Sequence, residues 1–261
     1  MNLKVLRYEV QGVVAVVTMN HQPMNALGVR FLDEFESVLE KIGRADIHAV
    51  VITSACPGFF SAGYDVTLLK NIGDDHFDNL PRVHTFLNAI ESLPVPTVAA
   101  INGRAFGGGL ELALTCDFRF MGDASGRIGL TEIRLGLLPS FGGTQRLPRV
   151  VGKAKAIEMM FNGLMIKPEE AARIGLVTAV FPQSEVLEKS IAYAAGFSRR
   201  SAGALARIKE CVNVGLREGF ERGIEAEQEA CRKNLVTPDA REGIAAYLEG
   251  RRADFNSRDR R

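Results

Sequence analysis

The chain has 261 residues, 46% of them hydrophobic and 24% charged, with a formal net charge of +1. This is the composition of an ordinary folded domain, and it excludes a general electrostatic pull on nucleic acid or an anionic membrane. Four scattered cysteines, Cys56, Cys116, Cys211 and Cys231, lack CxxC spacing and read as reduced thiols rather than metal ligands or a disulfide framework.

The first ten residues, MNLKVLRYEV, have no charged start followed by an apolar run, so no secretory leader is expected. No window approaches the roughly 18 apolar residues of a membrane span, and the expected location is the cytoplasm. Residues 3–10 and 13–19 alternate or run β-branched around Gln11-Gly12, which predicts a hairpin. Apolar residues at helical spacing predict a helix over 27–42, followed by a buried strand over 49–53. Residues 57–63 (PGFFSAG) read as a loop, 66–71 as a weak helix, and the polar stretch 71–78 as a mobile flap. Helical spacing returns over 83–93, and 97–101 is a small-residue strand leading into INGRAFGGGLELALTCD, residues 101–117. Three glycines there, Gly107, Gly108 and Gly109, run into an apolar helix. Such a helix start offers free N–H groups and a positive dipole end to an anion, although a turn that needs glycine only for its backbone angles has the same pattern.

Beyond it the pattern predicts a strand over 117–121, a second glycine turn over 137–144 (LLPSFGGT), helices over 145–151, 153–161 and 168–174, and a strand over 176–180. Residues 183–197, 202–216, 220–235 and 238–249 all read as amphipathic helices. The chain thus divides into a mixed α/β core over 1–182 and a helical region over 183–261 that packs on the core or on another copy. A doubly wound sheet is not expected, because the strands are short and no glycine fingerprint stands near the start.

Neither GxxxxGK[ST], GxSxG nor HExxH occurs, the spacing over 103–108 departs from GxGxxG, and the four histidines have no ligand spacing. No Walker phosphate loop is present, and neither a metal nor a nicotinamide cofactor is expected. Two carboxylates remain, each beside a glycine turn. Glu111 is either an exposed first-turn acid or a buried acid with a task. Glu132, in GLTEIRLGLLP, is either a helix-cap or salt-bridge residue or the partner of Glu111. Sharing one pocket, the two would raise one another's pKa and hold a water.

FSAGYD (residues 60–65), the 101–117 stretch, GLTEIRLGLLP and GGTQRLPRVVG (residues 142–152) occur in the order of the motifs of the enoyl-CoA hydratase/isomerase, or crotonase, family, which the chain resembles over essentially its whole length. The resemblance implies an α/β fold, a spiral of repeated ββα units whose C-terminal helices build a trimer or a dimer of trimers. It implies an acyl-CoA substrate, with no cofactor beyond the coenzyme A of that substrate. The matching oxyanion-hole donors are the N–H groups of Ala62 and Gly108, and the hydratase acids match Glu111, the base, and Glu132, the proton donor. Substrate contacts would come from Met24, Ala26, Leu27, Ser61, Gly63, Tyr64, Asp65, Val66, Gly107 and Phe141. Tyr247 matches an aromatic near the adenine, and Gly250 stands where the family often has a phosphate-binding lysine, with Arg251 and Arg252 after it. Thr131 and Ile128 depart from common hydratase residues, and both are expected to reshape the acyl pocket. Hydration of an enoyl-CoA is the first reading. Double-bond isomerisation or hydrolysis of a ring or β-diketone thioester is the alternative, and a non-catalytic RNA-binding relative is the reading from another class.

Overall fold

The computed structural model describes residues 3–71 and 74–255. The chain opens with β1 (Leu6–Gln11) and β2 (Val14–Met19), paired antiparallel from Leu6↔Met19 to Gln11↔Val14. The turn between them is Gly12-Val13, one residue later than expected, with Gly12 at φ 62. Then come β3 (Ala26–Leu27), α1 (Val29–Ile42), β4 (Ala49–Ser54), β5 (Phe59–Ser61) and β6 (Gly63–Tyr64). A 3-10 turn (Val66–Asn71) leads to α2 (Asp74–Glu91), β7 (Thr97–Ile101), β8 (Arg104–Phe106), α3 (Gly108–Leu114), β9 (Phe118–Gly122) and β10 (Ile128–Gly129). After a second 3-10 turn (Glu132–Leu135) follow α4 (Gly143–Val151), α5 (Lys153–Phe161), α6 (Pro168–Arg173), β11 (Ala179–Phe181) and α7 (Val186–Ala195). The chain closes with α8 (Ala202–Glu218), α9 (Phe220–Leu235) and α10 (Pro238–Leu248).

The six-stranded sheet runs β1-β2-β4-β7-β9-β11 in strict chain order, and every pair after the hairpin is parallel. With no reversal of strand order, the sheet lacks the switch point at which doubly wound folds bind ligands. The short strands form their own sheet, β10-β8-β5, and β3 pairs with β6. Each repeat therefore sends a long strand to one sheet and a short strand to another before its helix. This is the ββα spiral.

Both faces of the long sheet are covered, as parallel strands require. Alternate residues of one strand serve different cores. Ala15, Val17, Val50 and Ile52 face the main core with Phe31, Phe35 and Phe86, whereas Val14, Val16, Val51 and Val98 face α7 through Val186 and Ala194. The ring centroids of Phe35 and Phe86 lie 5.0 Å apart and lock α1 to α2.

Two expectations are corrected. Residues 57–63 are not a plain loop, since β5 and the first residue of β6 fall within them. Of the expected flap over 71–78, residues 72 and 73 lie outside the described residues, and from Asp74 the chain is helical. Pro81 inside α2 removes a backbone donor and interrupts the apolar pattern, so the sequence reads as helical only after it.

Helices α8 and α9 form a hairpin in which Gly215 and Gly223 bring the backbones together. Neither helix has a fully buried residue. Polar ties fasten α8 to the core: Lys209 Nζ to Asp117 at 2.8 Å, Asn213 Nδ2 to the Glu91 carbonyl at 3.1 Å, and Arg217 to Glu91 at 2.8 Å.

Candidate active site

The turn before α3 is built by glycine. Gly107 sits at φ 47, where a side chain is strained and where a Cβ would lie 2.8 Å from Glu132 Oε1. Its N–H donates to the Gly129 carbonyl at 3.0 Å, and its own carbonyl accepts from Glu111 N. The N–H of Gly108, first in the helix, has no acceptor among the described residues. It is an open donor at the positive end of the helix.

The FSAGYD segment packs on this turn backbone to backbone. A Cβ at Gly63 would meet the Phe106 carbonyl at 2.7 Å and the Gly108 nitrogen at 2.9 Å, and one at Gly109 would collide with Ser61. Any side chain at 63 would therefore cover the Gly108 donor. Asn25, buried and at φ 52, pins the segment from below. Its Nδ2 donates to Ser54 Oγ at 2.8 Å and to the Phe60 carbonyl at 2.9 Å, while Ser61 Oγ donates to the Asn25 carbonyl at 2.8 Å.

One expected donor is corrected. Ala62 lines the cavity, but its N–H donates to the Met24 carbonyl at 2.9 Å, in the run of bonds that lays 62–65 beside 24–27. That peptide anchors the loop and is not an open oxyanion donor.

Glu111 is 1% exposed. Its Oε1 accepts from Gly143 N at 2.7 Å and from Phe141 N at 2.8 Å, both in the second glycine turn. Burial, followed by the charge of Glu132, pushes its carboxyl up to about 8 despite those bonds. Glu132 begins the second 3-10 turn and has no ion-pair partner among the described residues. Its Oε2 is buried without a hydrogen-bond partner among the described residues, and burial raises its pKa too. An unpaired buried carboxylate oxygen is costly, and it marks a place built for something other than stability. The salt-bridge reading of Glu132 thus fails, as does the exposed reading of Glu111.

Both acids and Gly108 line one cavity of about 510 Å³, together with Ala62, Tyr64, Val66, Gly107, Thr131 and Phe141. Leu27 lines a small apolar slot next to it. Met24, Ala26, Ser61, Gly63 and Asp65 support the wall rather than line the cavity. Tyr247 is 84% exposed on α10 and lies outside the lining. Ile128, expected to shape the pocket, is fully buried in β10 and does not reach it.

Several residues carry no mark in the sequence. Leu80 and Val83 come from α2, and Leu135, Leu137 and Leu138 form an exposed apolar rim. Arg146, 7% exposed, donates to the Phe141 carbonyl at 3.2 Å, to Asn88 at 2.7 Å and to Glu91 at 3.1 Å, so it braces the loop that holds Glu111. A charged residue inside an amphipathic helix reads as solvated.

A sequence profile described as enoyl-CoA hydratase/isomerase matches residues 9–258. A probable enoyl-CoA hydratase of Bacillus subtilis is 38% identical over 246 residues, 93% of this chain and 95% of the relative. A short-chain-enoyl-CoA hydratase of Clostridium acetobutylicum is 33% identical over 257 residues, 97% and 98% of the two chains. Among solved structures, an enoyl-CoA hydratase of Geobacillus kaustophilus superposes with a TM-score of 0.93 at 34% identity over 98% of each chain. DspI of Pseudomonas aeruginosa superposes at 0.90 with 34% identity over 96% of each.

Proposed function

This chain belongs to the enoyl-CoA hydratase/isomerase family, and on that premise we propose that it adds water across the C2–C3 double bond of an enoyl-CoA thioester to give a 3-hydroxyacyl-CoA. The observation that carries the reading is that Glu132, whose Oε2 is buried without a hydrogen-bond partner among the described residues, lines the same cavity as Glu111. One oxygen of Glu111 is held by backbone, which leaves its other oxygen to share the attacking water with Glu132.

The thioester oxygen accepts from the Gly108 N–H at the start of α3 and gains charge as C3 is attacked. A donor of this kind contributes about 3 kcal/mol to the transition state. Glu111 takes a proton from the water as its oxygen bonds C3, and the resulting enolate collapses by taking a proton at C2 from Glu132. Turnover starts from the form of the pair in which Glu111 is ionised and the one proton sits on Glu132, and it leaves one proton on Glu111, so the pair titrates as a unit. The C3–O and C2–H bonds form as a water O–H bond and the C2–C3 π bond are broken, a redox-neutral addition that calls for no electron carrier. The segments 24–27 and 62–66 wall the side from which coenzyme A enters.

Loss of the ultraviolet absorbance of the conjugated thioester tests the reading, and product analysis separates hydration from isomerisation. No absorbance change with any enoyl-CoA overturns it.

We also infer a homo-oligomer, a trimer or a pair of trimers. Exposed apolar residues of α8–α10, among them Ile208, Phe220, Ile244 and Leu248, support a face covered by a second copy. Light scattering that returns the 28.4 kDa monomer mass overturns this.

A further inference from the structure

We propose that the ring pair Tyr64–Phe141 ends the acyl path, so that the native substrate is a short-chain enoyl thioester, and that the apolar slot behind the rings is a latent extension of that path. The identity of the substrate rests on the hydration reading, whereas the wall itself rests on geometry.

The two rings meet edge to face, with centroids 5.6 Å apart and planes at 89°. Both belong to the catalytic cavity on one side and, with Val83, to the slot on the other. The slot lies between α1 and α2, walled by Phe31, Leu32, Phe86 and Leu87. Its volume of about 30 Å³ exceeds that of one water-sized probe, enough for a methylene or two.

Phe141 stands beside the reacting atoms. A Cβ on Gly108 would lie 3.0 Å from its Cδ2, so the ring packs against the Cα of the residue that offers the open donor. Its own N–H holds Glu111. An acyl chain whose carbonyl is bonded at Gly108 and whose C2–C3 bond lies between the two acids meets this ring within a few carbons. Longer chains must turn away from the ring wall toward the exposed Leu135–Leu138 rim. In the slot, each buried methylene would gain about 0.8 kcal/mol, roughly fourfold in binding.

The test uses the full chain and its variants Phe141→Ala and Phe141→Leu, with Phe141→Ala/Leu87→Phe to refill the slot. kcat/KM is measured for crotonyl-, hexenoyl-, octenoyl- and decenoyl-CoA. Kd is measured by calorimetry for the saturated thioesters of the same lengths, which cannot be hydrated. For the wild type, kcat/KM should fall along the series. Phe141→Ala should raise the octenoyl-to-crotonyl ratio about tenfold, Phe141→Leu less, and Leu87→Phe should return it toward the wild-type value. If Phe141→Ala fails to fold, Phe141→Leu carries the test. An unchanged ratio in folded variants, or a wild type indifferent to length in both series, overturns the proposal. If no thioester is hydrated but the saturated series shows the length limit and its release, the hydration reading falls and the ring wall stands.

Discussion

Gly143 donates its N–H to Glu111 Oε1 at 2.7 Å, so the carboxylate that follows one glycine turn is held by the backbone of the other. Phe141 donates to the same oxygen at 2.8 Å. A Cβ at Gly143 would lie 2.9 Å from that oxygen, so the position must be glycine for the loop to close on the acid. The bonds orient Glu111, while burial and Glu132 keep it from ionising easily.

Replacing either acid by its amide should remove proton transfer while preserving shape. Glu111→Gln and Glu132→Gln are each expected to lower kcat by about 10²–10⁴. The Kd for a saturated acyl-CoA, measured by calorimetry, should change little. A variant with near-normal turnover would falsify the acid-pair assignment.

Glu111 should also make the protein's stability depend on pH. Its carboxyl is raised from 4.5 to about 8, so the folded state holds the proton more tightly than the unfolded state. Stability is then lost as pH rises through that window, because ionising the buried group costs energy. Glu111→Gln should be more stable than wild type by on the order of 1–3 kcal/mol near pH 8, with the gap closing toward about pH 5. Urea melts at the two pH values provide the check, and a variant equally destabilised at both contradicts the burial argument.

The open donor can be removed in two independent ways. Gly108 is the first residue of α3, where proline is tolerated by helix geometry, and Gly108→Pro deletes its N–H. Gly63→Ala leaves the N–H but places a methyl 2.9 Å from the nitrogen. Both should cut kcat/KM by about 10²–10³. Circular dichroism confirms that each variant is folded, and full activity in a folded Gly108→Pro protein rules out this donor.

Arg146 links the helical tail to the acid. Arg217 on α8 holds Glu91, Glu91 holds Arg146, and Arg146 holds the Phe141 carbonyl one peptide from the bonds to Glu111. Its positive charge also lowers the Glu111 pKa, though less than burial raises it. Arg146→Gln should therefore move the rising limb of the kcat/KM–pH profile to higher pH, with Arg146→Lys partly restoring it. The stability cost should fall below the about 3–5 kcal/mol of a broken buried pair, because Arg217 still holds Glu91. An unmoved limb in Arg146→Gln reduces the residue to a packing role.

The elements were largely legible from local pattern. The strand Thr97–Ile101 and the helices Lys153–Phe161 and Phe220–Leu235 carry the bounds that periodicity gives them. Misreadings arose where a local cue conflicted with packing. Pro81 hid the first half of α2, and the edge pairing of β5 is too short to leave an alternation. Of the site, the two acids and the glycines stood out because charge or missing side chains are unusual beside an apolar helix start. Asn25, Arg146 and the leucine rim did not, because their roles depend on partners far along the chain.

By itself the sequence determined most of the helices and the long strands in their order, the family to which the chain belongs, and the two carboxylates worth following. Those properties are local: residue periodicity, turn chemistry and motif order survive without knowledge of any neighbour. Only the tertiary structure decided that Glu111 and Glu132 share a cavity, that one has its oxygen tied to backbone while the other has an oxygen with no partner, and that Ala62 spends its N–H on Met24 while Gly108 keeps its own. Desolvation and hydrogen-bond partnership depend on atoms that folding brings within about 3 Å, and spacing along the chain does not encode them.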